Sequence, residues 1–152
     1  MGSGKWEVGS GPVSLLPINH SLRPTNHSPG KKNKTMAKPH EQLEAWKFAM
    51  QSVKAVYELT AGFPVEERFG LAQQMRRAAV SIPSNLAEGA GRNGAKEYLH
   101  FIGIARGALA ELETQLQLAV MLNFASQDHV VFELVDRTGK LLTGLHKKWN
   151  TQ

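Results

Sequence analysis

The chain has 152 residues, the length of a single domain with a sizeable hydrophobic core. It contains no cysteine, which excludes disulfides and thiol catalysis and is compatible with a reducing compartment. No apolar run approaches the roughly 20 residues of a membrane helix, and the first residues lack a secretory pattern. We therefore expect a cytoplasmic protein that makes no membrane contact.

The net charge of +5 is unevenly distributed. Residues 1–35 carry +4, whereas the remainder has 13 basic and 12 acidic side chains and carries only +1. A high isoelectric point is typical of nucleic-acid-binding proteins, but here the excess positive charge belongs to the N-terminal segment. The part that we expect to fold is almost neutral.

The N-terminal segment is predicted to be a disordered basic extension that precedes a folded domain over residues 36–152. Residues 1–35 hold four of the seven prolines and show no apolar periodicity, so they cannot bury enough surface to offset the ordering entropy. Two interpretations remain open. The segment is either an over-extended gene start, with Met36 as the natural initiator, or a nucleic-acid-binding arm built on the basic run 31–34.

Apolar residues at alternating steps of three and four predict four helices and no strand. The predicted helices cover residues 41–61, 67–90, 95–123 and 127–148. Gly62 is placed to end the first helix, and Ser126 is a suitable N-cap for the fourth. Because short loops between long helices make successive helices antiparallel, the predicted fold is an all-α, up-down-up-down four-helix bundle.

The second predicted helix has two unusual features. Pro83 removes one backbone hydrogen bond from its interior, so we predict a continuous helix that is kinked near this proline, with Ser81, Ser84 and Asn85 bonding the freed backbone groups. The face opposite the apolar stripe carries Gln73, Val80 and Ala87 where a solvated helix would show charges. This face is therefore expected to contact something outside its own bundle.

Polar side chains on the second and third helices predict a buried structural polar seam. The members of this seam are Arg77, Ser81, Asn85, Glu88, Arg106 and Glu113. In an antiparallel pair that turns near residue 94, Arg77 lies level with residues 109–113, so an Arg77–Glu113 ion pair is predicted. Such pairs fix register and oligomer state. The alternative is a small-molecule-binding or catalytic site in the same seam.

Small residues on the third helix predict a close helix–helix contact. Gly103, Gly107 and Ala110 line one side of this helix. Because glycine lowers helix stability, two glycines within one helix suggest that packing requires them.

Two motif matches do not predict a cofactor or a metal. Residues 89–94 fit G-x-G-x-x-G, but a dinucleotide site needs a preceding strand, so these glycines are interpreted as a flexible interhelical turn. Residues 97–100 fit one E-x-x-H of a di-iron bundle, which requires two copies and two further glutamates. We accordingly predict no cofactor, no metal ligand and no catalytic residue.

Three basic residues are the candidate nucleic-acid contacts. Arg76, Arg92 and Lys96 are predicted to cluster near one end of the second and third helices. Phosphate contacts need only basic side chains, and a ring of subunits would multiply a modest patch.

The sequence resembles the bacterial four-helix-bundle family that is named for 23S rRNA intervening sequences. The match covers about residues 40–148. It is carried by Trp46, Val56-Tyr57, Phe63-Pro64, Glu67, Phe69-Gly70-Leu71, Gln74, Arg77, the run from Ser81 to Gly89 (SIPSNLAEG) and Glu113.

The resemblance implies an antiparallel bundle that assembles as a homo-pentameric ring. It also points to a relative, the accessory variability determinant of diversity-generating retroelements, which binds nucleic acid and a reverse transcriptase. The family has no established catalytic residues. We therefore predict a non-enzymatic, homo-oligomeric scaffold whose partner is RNA, DNA or a nucleic-acid-processing protein.

Overall fold

The structure is a computed structural model that describes residues 37–151. The predicted N-terminal extension over residues 1–35 lies outside this range. Four helices account for most of the described chain: α1 (Glu44–Ala61), α2 (Leu71–Ala90), α3 (Ala95–Met121) and α4 (Val130–Asn150). Short 3-10 helices cover Pro39–Gln42 and Val65–Glu67. Residues 37–151 contain no strand, and none of their helices is long and apolar enough to cross a membrane.

The helices form a closed four-membered arrangement. Each helix packs against two neighbours in the order α1, α2, α3, α4 and back to α1. At one end, the rings of Phe63, which follows α1, and Phe124, which follows α3, lie 5.5 Å apart. At the other end, Tyr98 at the start of α3 meets Trp149 at the end of α4, with ring centroids 4.8 Å apart. These contacts are those of an up-down-up-down antiparallel bundle, so the predicted fold class is confirmed.

Large apolar side chains from three helices fill the core. The fully buried ones include Met75, Ile82 and Leu86 of α2, Ile102, Leu112 and Leu116 of α3, and Leu142 of α4. Removing a side chain of this size from water contributes roughly 1.5–3 kcal/mol. Helix α1 contributes mainly small residues, among them Ala45, Ala49 and Ala55.

Three helices begin later than predicted: α1 starts at residue 44 rather than 41, after the 3-10 helix Pro39–Gln42, and residues that precede α2 and α4 cap those two helices. The carboxylate of Glu67 accepts a hydrogen bond of 2.9 Å from the backbone N–H of Leu71, so α2 starts at residue 71 rather than 67. The Nδ1 atom of His129 accepts the N–H of Val131, which makes His129 the N-cap of α4. The prediction of Ser126 as this N-cap is wrong, because its hydroxyl donates to the carboxylate of Asp128 and lowers the pKa of that group.

Helix α2 runs without interruption through Pro83, which confirms its predicted continuity, while the kink stays a prediction. The hydroxyl of Ser84 donates to the carbonyl of Val80, and the amide of Asn85 donates to the carbonyl of Ser81, each over 2.8 Å. Both acceptors follow Ala79, whose carbonyl loses its partner to the proline, by one and two residues. The prediction that Ser81, Ser84 and Asn85 bond the freed carbonyl itself is therefore wrong. The side chains therefore supply hydrogen bonds where the proline weakens the backbone ladder.

Two fully buried hydroxyl groups join α1 to α4. The oxygens of Ser52 and Thr138 are 3.1 Å apart. Each hydroxyl also lies within 2.9 Å of the carbonyl four residues earlier in its own helix. Two hydroxyl hydrogens serve three contacts, so either side chain keeps a hydrogen bond when the other is removed.

We expect Thr138→Val to lower the free energy of unfolding by only about 1 kcal/mol, because Ser52 retains a carbonyl acceptor. The double variant Ser52→Ala/Thr138→Val should cost less than the sum of the two single changes, since no buried hydroxyl is then left without its partner. Urea denaturation measures both effects. A loss above about 3 kcal/mol for Thr138→Val would contradict this account.

Candidate interaction surfaces

The polar residues of α2 and α3 do not form a buried seam in the single chain. Helices α2 and α3 meet through buried alanines and larger apolar residues, which leaves longer polar side chains at the margins. Ser81 and Asn85 are half-buried, and the four charged members are exposed: Arg77, Glu88, Arg106 and Glu113. The prediction of a buried seam is therefore wrong for the isolated subunit.

The predicted Arg77–Glu113 ion pair is also absent from the part of the chain that the structure describes. Arg77 lines a groove between α2 and α3 together with Glu111, whereas Glu113 lines the groove between α3 and α4. Positions 111 and 113 point about 200° apart on a helix, so only one of them can face α2. The axial level of the pair was predicted correctly, but the face of α3 was not.

The α2–α3 groove has a volume of about 540 Å³ and a mixed lining. Arg77 and Ser81 lie on one wall, and Ile104, Glu111 and Gln115 lie on the other. The amide oxygen of Gln115 is buried and accepts no hydrogen bond within residues 37–151. A buried acceptor without a donor is costly, so Gln115 leaves one hydrogen bond unmade in the isolated subunit.

Glycines form an open floor in the groove between α3 and α4, whose volume is about 770 Å³. A methyl group added at Gly103 or Gly107 would meet no atom of the described residues within 4 Å. The close approach predicted at these glycines therefore does not occur within the subunit. Contacts inside residues 37–151 do not explain why glycine occupies these positions.

Apolar side chains on α2 and α3 remain exposed. Val80 and Ile104 are each 40% exposed, and Leu118 is 43% exposed. Ile104 and Leu118 lie two heptads apart and so share one face of α3. We use the term α2–α3 face for the surface formed by Arg77, Val80, Ile104, Gly107, Glu111 and Leu118.

The three candidate nucleic-acid contacts do not cluster. Arg76 donates from Nε to the Thr60 hydroxyl over 2.8 Å, and its guanidinium lies 4.7 Å from the centre of the Tyr57 ring. Arg92 follows α2 at the opposite end, with Lys96 in the first turn of α3. The separation of Arg76 from Arg92 corresponds to about 24 Å at the rise of an α-helix. The predicted cluster is wrong, and only Arg92 and Lys96 share an end of the bundle.

The glycines of the G-x-G-x-x-G match have separate structural roles. Gly89 is buried within α2, where an added Cβ would lie 2.8 Å from Cβ of Phe101 and 2.9 Å from Cδ2 of Tyr98. Gly91 is the C-cap of α2, and Gly94 is the N-cap of α3. The predicted turn therefore contains the last two glycines, whereas the first permits close packing of α2 on α3. Sequence reasoning missed that role.

The turn at Gly91–Gly94 borders a pocket of about 490 Å³ at the end of the bundle. Its walls come from Pro39 and Leu43 before α1, from the α2–α3 turn, and from the rings of Tyr98 and Trp149. Burial raises the pKa of the Tyr98 phenol. The lining is largely apolar, with Arg92 and Asn93 as its polar side chains.

The fold defines the chain as an antiparallel four-helix-bundle protein. Residues 41–144 match the sequence profile of the 23S rRNA-intervening sequence protein family, and the chain belongs to this family. The matched range includes α1–α3, much of α4 and all six predicted seam residues. A comparison with curated proteins gives no match. The family resemblance is thereby confirmed, and the family name states no activity.

Proposed function

We propose that the chain is a non-enzymatic, homo-oligomeric scaffold that binds a macromolecular partner, with RNA or DNA as the first partner to test. The observation that supports assembly most directly is the α2–α3 face, where apolar side chains remain exposed in the subunit. A pentamer is the assembly that the family resemblance implies. A cytoplasmic location belongs to the same proposal.

The exposed apolar side chains and the glycines with free space around them both favour an interface between subunits. Exposed apolar patches on soluble proteins mark interaction sites. Gly107 lies between Ile104 and Glu111 on α3, and its missing side chain would let the helix of a second copy approach closely. Glycine in a helix costs about 1 kcal/mol relative to alanine, so an intersubunit contact would give this position a physical reason.

The groove supplies polar groups that would set the register of such an interface. Arg77 and Glu111 carry opposite charges on its two walls, and Gln115 presents a buried acceptor without a donor. Polar groups within an apolar interface select one alignment, because other alignments leave them buried and unpaired.

The first test replaces Arg77 with methionine, which keeps the length of the side chain and removes its charge and donors. We expect Arg77→Met to shift the mass measured by light scattering from an oligomer toward the monomer. Lys54→Met is the matched control, because Lys54 is 79% exposed on α1 and contacts only Glu58 as an ion-pair partner. A monomeric wild-type protein, or an unchanged oligomer for Arg77→Met, would argue against this interface.

A small-molecule site in the same groove is the second candidate function. The observation that favours it is the buried Gln115 oxygen beside a cavity of about 540 Å³. A ligand that donates to this oxygen and pairs with Arg77 would fit the lining. Protection of the monomer against thermal unfolding by such a ligand would favour this function, whereas loss of the cavity upon assembly would favour the scaffold.

A further inference from the structure

The charged side chains are divided unevenly between the two halves of the bundle. The Ser52–Thr138 and Leu109–Gly139 contacts show that these residues of α1, α3 and α4 lie at a similar height along the bundle axis. The bundle is divided into two halves at this height. The half that contains Trp149 comprises residues 37–52, 81–107 and 141–151, with seven basic and four acidic side chains. The other half comprises residues 53–80 and 108–140, with six basic and eight acidic side chains. The near-neutral bundle therefore has a basic half, which we call the tryptophan half.

The pocket of about 490 Å³ beside the Gly91–Gly94 turn, which we call the aromatic pocket, opens at the end of the tryptophan half. Trp149 and Tyr98 meet edge to face, with an angle of 87° between their rings. Trp149 is only half-buried, so part of its indole surface remains available. The pocket thus presents an aromatic surface and an apolar lining, with the amide of Asn93 at its margin.

Besides Arg92, which lines this pocket, three lysines lie within two residues of its lining. Lys147 and Lys148 directly precede Trp149, and Lys96 follows the pocket residue Ala95, and all three lysines are exposed. Arg92 forms a 2.6 Å ion pair with Glu88, and Glu97 is a further exposed acidic residue near this end. The three lysines have no ion-pair partner among the described residues.

We propose that the pocket binds one unstacked base of a single-stranded nucleic acid, whose phosphates contact Lys96 and Lys148. Bases of single strands stack on aromatic side chains, while basic residues follow the backbone. The Asn93 amide can donate to or accept from the edge of a base. A duplex keeps its bases stacked and paired and would contact only the lysines. This proposal rests on the proposed nucleic-acid function and adds a preference for single strands and a site.

The test compares a single-stranded oligonucleotide with a duplex of equal length on the full chain. We expect Trp149→Ala to weaken single-strand binding about tenfold or more, the size of a lost base–aromatic stack, and to leave duplex binding unchanged. The variant Lys96→Gln/Lys148→Gln should weaken both and reduce the salt dependence of both. Ala95→Leu fills the pocket and keeps every aromatic ring. It should weaken single-strand binding in the same way, and it provides the test if Trp149→Ala fails to fold.

Tryptophan fluorescence measures the stacking of a base on Trp149 independently of the binding affinity. A Trp6→Phe/Trp46→Phe variant retains Trp149 as its single tryptophan. We expect the single strand to quench its emission and the duplex to leave it unchanged.

The outcomes separate the two proposals. Absence of binding to either nucleic acid would overturn both the nucleic-acid function and the base pocket. Binding that Trp149→Ala and Ala95→Leu leave intact would overturn the pocket alone. Equal affinity for a free mononucleotide and for the oligonucleotide would also overturn the assignment to single strands, in favour of a small-molecule site.

Discussion

Gly89→Val is expected to lower the free energy of unfolding by at least about 3 kcal/mol, and Gly89→Ala by about 2 kcal/mol. Even the alanine Cβ would lie 2.8 Å from Cβ of Phe101 and 2.9 Å from the ring of Tyr98. The Cβ of Phe101 is anchored to α3, so the two helices must separate to admit the new atoms. Because small domains have a total stability of roughly 5–15 kcal/mol, the valine variant should lose much of its stability.

Thermal and urea unfolding followed by circular dichroism measure this effect. Gly94→Ala is the matched control, because Gly94 belongs to the same turn, has an extended backbone and leaves open space for a Cβ. We expect the control to change stability by less than about 0.5 kcal/mol, as at an ordinary surface position. Equal effects at Gly89 and Gly94 would show that turn flexibility, rather than close packing of α2 on α3, explains the glycines.

The number, order and type of the helices could be predicted from the sequence, because the spacing of apolar residues reports which side of each helix is buried. Helix starts were less predictable. Glu67 and His129 cap α2 and α4 from the loops, and their cap bonds depend on how the chain enters each helix. Ser126 has the residue type of a good N-cap, but it bonds Asp128 instead.

The candidate site was less predictable than the fold, since it depends on contacts between helices. Antiparallel pairing places Arg77 level with residues 109–113, but the rotation of α3 determines whether Glu111 or Glu113 faces it. The role of Gly89 is likewise set by Phe101 on another helix. The aromatic pocket brings together residues near both ends of the described chain, and only the folded topology juxtaposes Pro39 with Trp149.

The glycines of α3 provide the strongest test of assembly, because folding and assembly should respond in opposite directions. Gly103→Ala/Gly107→Ala is expected to raise the stability of the subunit by about 1–2 kcal/mol, since each alanine favours the helix and meets no described atom within 4 Å. The methyl group at Gly107, a member of the α2–α3 face, would also hold apart the helices of adjacent subunits, whereas Gly103 lines the α3–α4 groove. We therefore expect the oligomer to dissociate at protein concentrations at least about tenfold higher than wild type does.

Sedimentation across a range of protein concentrations measures the assembly, and urea unfolding under dissociating conditions measures the subunit, because assembly itself stabilises the folded state. Gly144→Ala is the matched control on α4, where an added Cβ is equally unobstructed and lies away from the α2–α3 face. It should stabilise the subunit by about 0.5–1 kcal/mol and leave the mass unchanged. If the α3 variant leaves the mass unchanged, as this control does, the α3 glycines do not lie at an interface, and the exposed apolar residues of α2 and α3 require another partner.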